Sequence, residues 1–207
     1  MVRYKQGQKK QTRERILEAA GRKFRKDGYS GAGVDGLAKE AGVTSGAFYG
    51  HFDSKATAFR ESIASGLEQL RGAVEQYQKE HDNLWLDEFA KLYLGEKRTC
   101  DLADSCALQS LAPEVGRSDE LARSVFQSEL VKVANAVASG LPLVDGEPDL
   151  DSAWVYLSML VGGVTLARAI KDEKLGEDIA SAVRNAMALN DEGLNATKER
   201  KQSNENK

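Results

Sequence analysis

The chain has 207 residues, of which 41% are hydrophobic and 29% are charged, and it contains only 3 prolines. This size and composition are typical of a globular protein and exclude the collagenous and intrinsically disordered classes. The most apolar stretch, residues 153–170, contains two glycines and Arg168, so we interpret it as a buried helix rather than a membrane span. Residues 1–10 are basic and lack the apolar segment of a signal peptide, which predicts a cytoplasmic protein with no membrane partner.

Positive and negative charges are distributed unevenly along the chain. Residues 1–60 contain 13 Lys and Arg against 6 Asp and Glu, whereas residues 61–207 contain 16 against 26, for a net charge of -3. This asymmetry indicates a small N-terminal module that binds a polyanion, attached to a larger body with another role. A solvated cluster of basic residues at one end of the chain would give the same pattern.

Residue types that usually bind metals are few in this chain. There are two cysteines, Cys100 and Cys106, and two histidines, His51 and His81. This number is too small for a disulfide framework or a structural zinc site. We therefore expect neither a metal nor a cofactor.

Apolar residues recur at helical spacing through the first 80 residues, with no alternating strand pattern. Thr12 is a candidate N-cap and Gly28 a candidate stop for the first helix. Gly42 separates two short helices that a third helix braces, which is the outline of a helix-turn-helix. The predicted helices are Thr12–Asp27, Val34–Ala41, Ser45–Phe52 and Lys55 to about Lys79.

Longer apolar segments follow beyond residue 80, interrupted by the charged residues 95–104. We predict that Pro113 closes a short apolar segment and that Ser118 caps the next helix. The predicted elements are Leu84–Leu94, Ser105–Leu111, Ser118–Ser139, Asp151–Ile170 and Leu175–Leu189.

These elements predict an all-α fold of about nine helices, with a three-helix helix-turn-helix domain followed by a larger helical domain. We expect the helix-turn-helix domain to cover residues 1–54 and the larger helical domain to cover residues 55–190. The polar residues 191–207 have little to bury and predict a disordered tail.

One face of the third predicted helix is nearly bare. At 100° per residue, Phe48 and Phe52 share the buried side, and the opposite side carries Gly46, Ala47 and Gly50. Each exposed glycine costs a helix about 1 kcal/mol relative to alanine, so this face indicates close approach to a partner such as a DNA groove. The alternative is that both glycines are simply weak points of a surface helix.

Side chains around this face fit contacts to DNA. Thr44 and Ser45 place hydroxyls at the N-terminal end of the helix, where base edges are usually read, and Ala47 can contact a thymine methyl. Tyr49 and His51 flank the face, where they can hold phosphates. His51 could equally be an ordinary surface imidazole.

Basic residues on either side of these helices offer further phosphate contacts. Lys55 lies in a first helical turn, where the helix dipole disfavours a cation, but with the free N–H groups of that turn it can seat a phosphate. It could also simply be exposed. The basic residues near the N-terminus could track the DNA backbone, reach a minor groove or form a solvated tail. They are Arg3, Lys5, Lys9, Lys10 and Arg13.

The stretch Thr12–Phe59 resembles the DNA-binding domain of the tetracycline-repressor (TetR/AcrR) family. The matching residues are Ile16–Ala20, Phe24, Gly28–Tyr29, Leu37–Ala38, Ala41–Thr44, Gly46–Tyr49, His51–Phe52 and Ser54–Lys55. The resemblance implies a homodimeric repressor whose three N-terminal helices read a palindrome and whose long fourth helix leads to a ligand-sensing body. The usual Thr or Ser at the start of the second helix is Ala32 or Gly33 here.

The resemblance also implies a role for each matching residue. Thr44, Ser45, Ala47 and Tyr49 would touch DNA. His51 and Lys55 would contact phosphate.

A short part of the larger domain is similar to one subgroup of the family, in which a cysteine begins the sixth helix. The residues that carry this similarity are Tyr93–Leu94, Ser105–Leu108, Leu111–Ala112 and Glu114–Val115. This similarity implies Cys106 as a sensor of electrophiles or oxidants, because a helix start favours the reactive thiolate. Asp101 and Asp104 oppose that effect, and a buried, inert Cys106 is the alternative. Cys100 lies six residues before Cys106, a spacing that could allow a disulfide between them under oxidation but does not establish one.

Aromatic and sulfur-containing residues of the larger domain could line an apolar effector pocket, or could be ordinary core. They are Trp85, Phe89, Tyr93, Cys106, Phe126, Trp154 and Met159. The last two predicted helices are too apolar for a surface, so they either fill their own core or form a four-helix interface with a second copy. The family resemblance favours the interface.

The sequence therefore predicts a transcriptional repressor, not an enzyme, that binds a palindromic operator in double-stranded DNA as a homodimer. A small-molecule or redox effector would release it. The alternatives are a thiol enzyme using Cys106, with His81 as its one candidate partner, and a helical protein-interaction module. Turnover that depends on Cys106 would favour the enzyme, and DNA binding without steep salt dependence would favour the interaction module.

Overall fold

The computed structural model describes residues 2–188, with side chains from residue 7 onward, and the predicted tail over residues 191–207 lies outside it. Apart from one isolated bridge between Val144 and Glu147, the described residues contain no β-structure, which confirms the predicted all-α fold. The helices are α1 (Val2–Gly31), α2 (Val34–Glu40), α3 (Ser45–Tyr49), α4 (Lys55–His81), α5 (Trp85–Leu94), α6 (Glu96–Thr99), α7 (Ala107–Gly116), α8 (Glu120–Ser139), α9 (Leu150–Ala169) and α10 (residues 173–188).

The chain divides into two compact units. The first unit holds the residues up to Leu70 and residues 101–130, and the second holds residues 71–100 and those from 131 onward. The predicted domain boundary after residue 54 therefore lies inside the first unit. The reason is that α7 and the 3-10 turn Leu102–Asp104 pack against α1.

Helices α1 and α4 build the core of the first unit. Ile16, Ala20 and Phe24 follow one another at helical spacing on α1 and are fully buried. The ring of Phe24 packs edge-on against Phe59 of α4, with the ring centroids 5.1 Å apart. Gly28 interrupts the helical run with φ 72° and ψ 172°, in line with the predicted stop at this glycine.

A tight turn at Gly42 joins α2 to α3. Gly42 has φ 65°, in the left-handed region that glycine adopts without steric cost. Leu37 of α2 and Phe48 of α3 are fully buried, and the ring of Phe48 stacks on Phe52 at 5.5 Å. These contacts hold α2 and α3 as the predicted helix-turn-helix.

Three details of the predicted elements were wrong. Thr12 caps no helix, because α1 already begins at Val2. Pro113 does not close its segment but lies inside α7. Burial of Leu111 and Val115 on either side offsets the loss of the backbone hydrogen bond that proline cannot donate. Asp119 rather than Ser118 caps α8, because its carboxylate accepts a hydrogen bond from the Ala122 N–H at 2.8 Å.

The second unit is built around α5 and α9. Trp85 of α5 is buried, and its indole N–H donates to the Gly140 carbonyl at 2.8 Å. By length and composition α9 could span a membrane, but 44% of its most apolar segment is buried within the chain. Its inner face packs against α5 and α6, while Trp154 and Leu166 on its outer face are 37% and 62% exposed.

Candidate nucleic-acid interface

The bare face predicted for α3 is open to solvent. Phe48 is fully buried, whereas Gly46, Ala47 and Gly50 are exposed. A side chain at Gly46 would not clash inside the chain, because a Cβ there would meet only the Thr44 hydroxyl oxygen, at 3.9 Å. Packing within the chain therefore gives no reason for glycine at this position.

The N-terminal end of α3 is fixed by two hydroxyl groups. The Thr44 hydroxyl accepts a hydrogen bond from the Ala47 N–H at 3.1 Å, which caps the helix. The Ser45 hydroxyl donates to the Asp35 carboxylate at 2.5 Å and so ties α3 to α2. Both side chains stay at the surface, with Thr44 exposed and Ser45 half-buried. The orientation of α3 is therefore set before any partner arrives.

Two aromatic side chains flank the bare face. Tyr49 is 56% exposed, and its ring packs edge-on against Phe48 with the centroids 5.7 Å apart. His51 is half-buried, and its Nδ1 atom is buried without a hydrogen-bond partner. Burial, and then the positive charges of Lys9 and Arg13, lower the pKa of His51 below its ordinary value. His51 is therefore a neutral imidazole at pH 7.

The basic N-terminal segment is the first part of α1. Lys9 and Lys10 are exposed on this helix, with Lys10 3.8 Å from the Glu14 carboxylate, whereas Arg13 is half-buried and engaged by other side chains. The Arg13 guanidinium makes two hydrogen bonds of 2.7 Å to Glu61 and lies 4.6 Å from the centroid of the Phe52 ring. Among the described side chains of this segment, Lys9 and Lys10 are thus the cations available to a polyanion. The side chains of Arg3 and Lys5 lie outside the described part.

Lys55, the first residue of α4, is bound within the first unit. Its ammonium donates to the Tyr29 carbonyl at 2.9 Å and lies 4.2 Å from the centroid of the Tyr29 ring. No sequence pattern indicates this partner, because the contact depends on how the chain turns at Gly28. The start of α2 has no side-chain cap, as expected from Gly33 at the N-cap position.

The residues predicted to sense an effector are divided between the two units. Trp85, Phe89 and Tyr93 are buried on α5 in the second unit, and the rings of Phe89 and Tyr93 lie 5.9 Å apart. Trp154, also in this unit, is partly exposed on α9, and Met159 is half-buried.

The other two predicted sensor residues, Cys106 and Phe126, belong to the first unit and are half-buried. Cys106 occupies the N-cap position of α7 but makes no capping hydrogen bond.

A cavity of about 360 Å³ lies within the first unit. Its walls come from α1, α4, α7 and α8, and none of the residues predicted to sense an effector lines it. No sequence pattern links these walls, because they are separated by up to 93 residues, from Tyr29 to Ala122. The lining residues are Tyr29, Ser30, Ala56, Phe59, Arg60, Glu114, Arg117, Ser118, Asp119 and Ala122.

The N-terminal part of the chain is similar in sequence to known proteins. Residues 16–61 match the family described as bacterial regulatory proteins, tetR family. The chain is 40% identical over 65 residues to the HTH-type transcriptional regulator SrpR of Pseudomonas putida, and 41% identical over 61 residues to the HTH-type transcriptional regulator AcrR of Shigella flexneri. These matches cover 31% and 30% of this chain and only 30% and 28% of the two relatives.

Solved structures extend the similarity of fold to both units. The reduced form of Escherichia coli NemR has a TM-score of 0.71 with 20% sequence identity, over 84% of this chain and 96% of that one. FadR from Bacillus subtilis in complex with stearoyl-CoA has a TM-score of 0.62 with 18% identity, over 82% and 96% of the two chains. At such identities the likeness establishes the fold alone.

Proposed function

We propose that this chain is a transcriptional repressor of the tetR family of bacterial regulatory proteins, which residues 16–61 match, and that it binds palindromic DNA as a homodimer. The observation that carries the proposal is the exposed, bare face formed by Gly46 and Ala47 of α3 and by Gly50, the C-cap of that helix. A helix without side chains on one face can approach base edges in a major groove closely.

The surroundings of this face support a nucleic-acid partner. Tyr49 on one side is exposed and has a hydroxyl that can donate to a phosphate oxygen. Lys9 lies close enough to His51 to lower its pKa, so a cation of α1 stands beside the other side of the face. The bare surface can face the base edges on the floor of a DNA major groove, and the groups on its two sides can face the phosphate backbones at the rims.

The second unit offers a surface for a second copy of the chain. The outer face of α9 exposes Trp154, Val155 and Leu166 at 37%, 45% and 62%. Val155 and Leu166 are eleven residues apart, about three helical turns, so they lie on the same side of the helix, and Trp154 is the neighbour of Val155 in sequence. Exposed apolar stripes of this kind mark protein interfaces. A twofold dimer would present two α3 helices, which must lie about 34–36 Å apart to enter successive major grooves.

Release from DNA would follow from an effector that changes this separation. The two solved structures named above differ in state: NemR is in its reduced form, and FadR is in complex with stearoyl-CoA. The shared fold therefore does not define an effector class. A half-buried Cys106 at the start of α7 keeps a redox or electrophile signal among the candidates. Replacing Cys106 with serine should then leave DNA affinity intact and abolish release by oxidants.

Selection of DNA by the purified full-length chain tests the proposal. Genomic fragments that bind the protein are recovered and sequenced, and their affinity is measured at several salt concentrations. We expect the enriched fragments to share a palindrome, with log affinity falling by about 0.9 per log unit of salt for each phosphate contacted. Recovery of bulk DNA without a shared site would contradict the proposal.

A further inference from the structure

Glu114 of α7 contacts the backbone of a residue 85 positions earlier in the chain. Its Oε2 atom accepts a hydrogen bond from the Tyr29 N–H at 3.0 Å, and its Oε1 atom accepts one from Arg117 at 2.9 Å. The hydrogen bonds from Arg117 and Tyr29 lower the pKa of Glu114, so the carboxylate is charged at neutral pH. A side chain of α7 thus holds the last residues of α1, just after the break at Gly28.

The Tyr29 amide reaches Glu114 because of the backbone at Gly28. The φ of 72° and ψ of 172° at Gly28 turn the following peptide away from the helical direction. A Cβ at Gly28 would also lie 3.3 Å from Oε2 of Glu114, so glycine leaves room for the carboxylate. The positive φ of Gly28 and its lack of a side chain both allow the hydrogen bond between the Tyr29 N–H and Glu114.

Tyr29 is held from its other side by Lys55. The Tyr29 carbonyl accepts from the Lys55 ammonium at 2.9 Å, and the ring lies under the same ammonium at 4.2 Å. The side chain of Lys55 is therefore placed by Tyr29, and the backbone of Tyr29 is placed by Glu114. These three residues form a continuous contact path from α7 to the first turn of α4.

We propose that Glu114 is a positioning residue for DNA binding, which acts through Tyr29 to hold the Lys55 ammonium at the first turn of α4, where the sequence predicts a phosphate contact. The inference rests on the proposed function. Without the carboxylate, the Tyr29 peptide loses its partner and Lys55 loses a fixed anchor. The phosphate contact then has to order a flexible lysine, which weakens it.

A double-mutant cycle tests this path. Affinity for the duplex selected from genomic fragments is measured for the wild type, Glu114→Ala, Lys55→Ala and the double variant, at one salt concentration. We expect Glu114→Ala to weaken binding roughly fivefold when Lys55 is present and to have no further effect when Lys55 is absent. Glu114→Gln keeps an acceptor for the Tyr29 N–H and should restore most of the affinity.

Two controls separate positioning from general effects. Glu120→Ala removes an exposed carboxylate at the start of α8 that has no contact with Tyr29, and it should leave affinity unchanged. Hydrogen exchange of the Tyr29 amide should be faster in Glu114→Ala than in the wild type, and slow again in Glu114→Gln. Unchanged thermal unfolding of each variant would show that the fold is intact.

The possible outcomes are distinguishable. Equal losses from Glu114→Ala with and without Lys55, or no loss at all, would overturn this inference while the proposed function stands. Failure of the wild type to bind any selected duplex would overturn the proposed function and this inference with it.

Discussion

Two helices of this chain expose the kind of surface that a monomer normally avoids, and they do so in opposite ways. The outer face of α3 in the first unit is bare, with Gly46 and Ala47 in place of longer side chains. The outer face of α9 in the second unit carries large apolar side chains, including Trp154 and Leu166. Neither surface is explained by packing within the chain, and the chemistry of each indicates a different partner.

The bare face of α3 and the apolar face of α9 suit different partners. A groove in DNA has backbones at its rims and base edges on its floor, so the protein surface that enters it must be slim and have phosphate-binding groups beside it. A second protein copy instead rewards buried apolar area. We propose DNA as the partner of α3 and a second copy of the chain as the partner of α9, and each proposal can be tested separately.

The largest effect is expected at α9. Leu166→Asp places a charge on the stripe where we propose that a second copy packs, and it should weaken dimerisation roughly a hundredfold, about 2.7 kcal/mol. DNA binding should fall with it, because two linked α3 helices bind far better than one. Analytical ultracentrifugation checks the first effect and fluorescence anisotropy the second.

A matched substitution controls for the added charge. Leu84 is 60% exposed, close to the value for Leu166, but lies in a 3-10 turn away from α9 in sequence. Leu84→Asp should leave the dimer and its DNA affinity unchanged. A dimer that survives Leu166→Asp intact would show that the α9 stripe is not the interface.

A smaller effect is expected at α3, where stability and affinity should move in opposite directions. Gly46→Ala should raise the free energy of unfolding by up to about 1 kcal/mol, because alanine favours the helix and the added methyl meets open space. The same methyl would enter the groove and should lower DNA affinity roughly tenfold. Thermal unfolding and anisotropy measure the two changes.

Gly72 provides the control for this prediction. It is an exposed glycine inside α4, and a Cβ there would meet nothing within 4 Å. Gly72→Ala should therefore stabilise the protein in the same way without changing DNA affinity. An equal affinity for Gly46→Ala and the wild type would mean that the bare face does not lie in a groove.

The smallest expected effect is the pH dependence of DNA affinity that comes from His51. Dimerisation through α9 should not share this dependence. His51 has a lowered pKa in the free protein, and a phosphate beside it would raise that pKa, so binding takes up a proton. DNA affinity should therefore rise roughly threefold more between pH 8 and pH 6 for the wild type than for His51→Gln. Dimerisation should show no difference between them, and identical pH profiles for DNA affinity would exclude a phosphate at His51.

The sequence predicted the parts of the site that depend on local spacing. The bare face of α3 follows from the positions of Phe48 and Gly46 on one short helix, and the break in α1 follows from a single glycine. Contacts between distant segments were not predictable in this way. Lys55 meets Tyr29 across 26 residues and Glu114 meets Tyr29 across 85, and no periodic pattern records either pairing.

The errors have the same physical origin. Pro113 breaks a local rule inside α7, but the helix continues because Leu111 and Val115 are buried by tertiary packing. The effector residues, which were grouped by residue type, stay a prediction. Trp85 and Phe89 are buried on α5, whereas Cys106 belongs to the other unit.

Hydroxyl-radical footprinting of the protein compares the two surfaces in one measurement. Tyr49 beside the bare face and Trp154 on α9 are both solvent-exposed in the single chain and both react readily with hydroxyl radicals. We expect that adding the selected duplex suppresses oxidation of Tyr49 and leaves that of Trp154 unchanged. A Tyr49 that is oxidised at the same rate in the saturated complex would contradict the assignment of α3 to DNA.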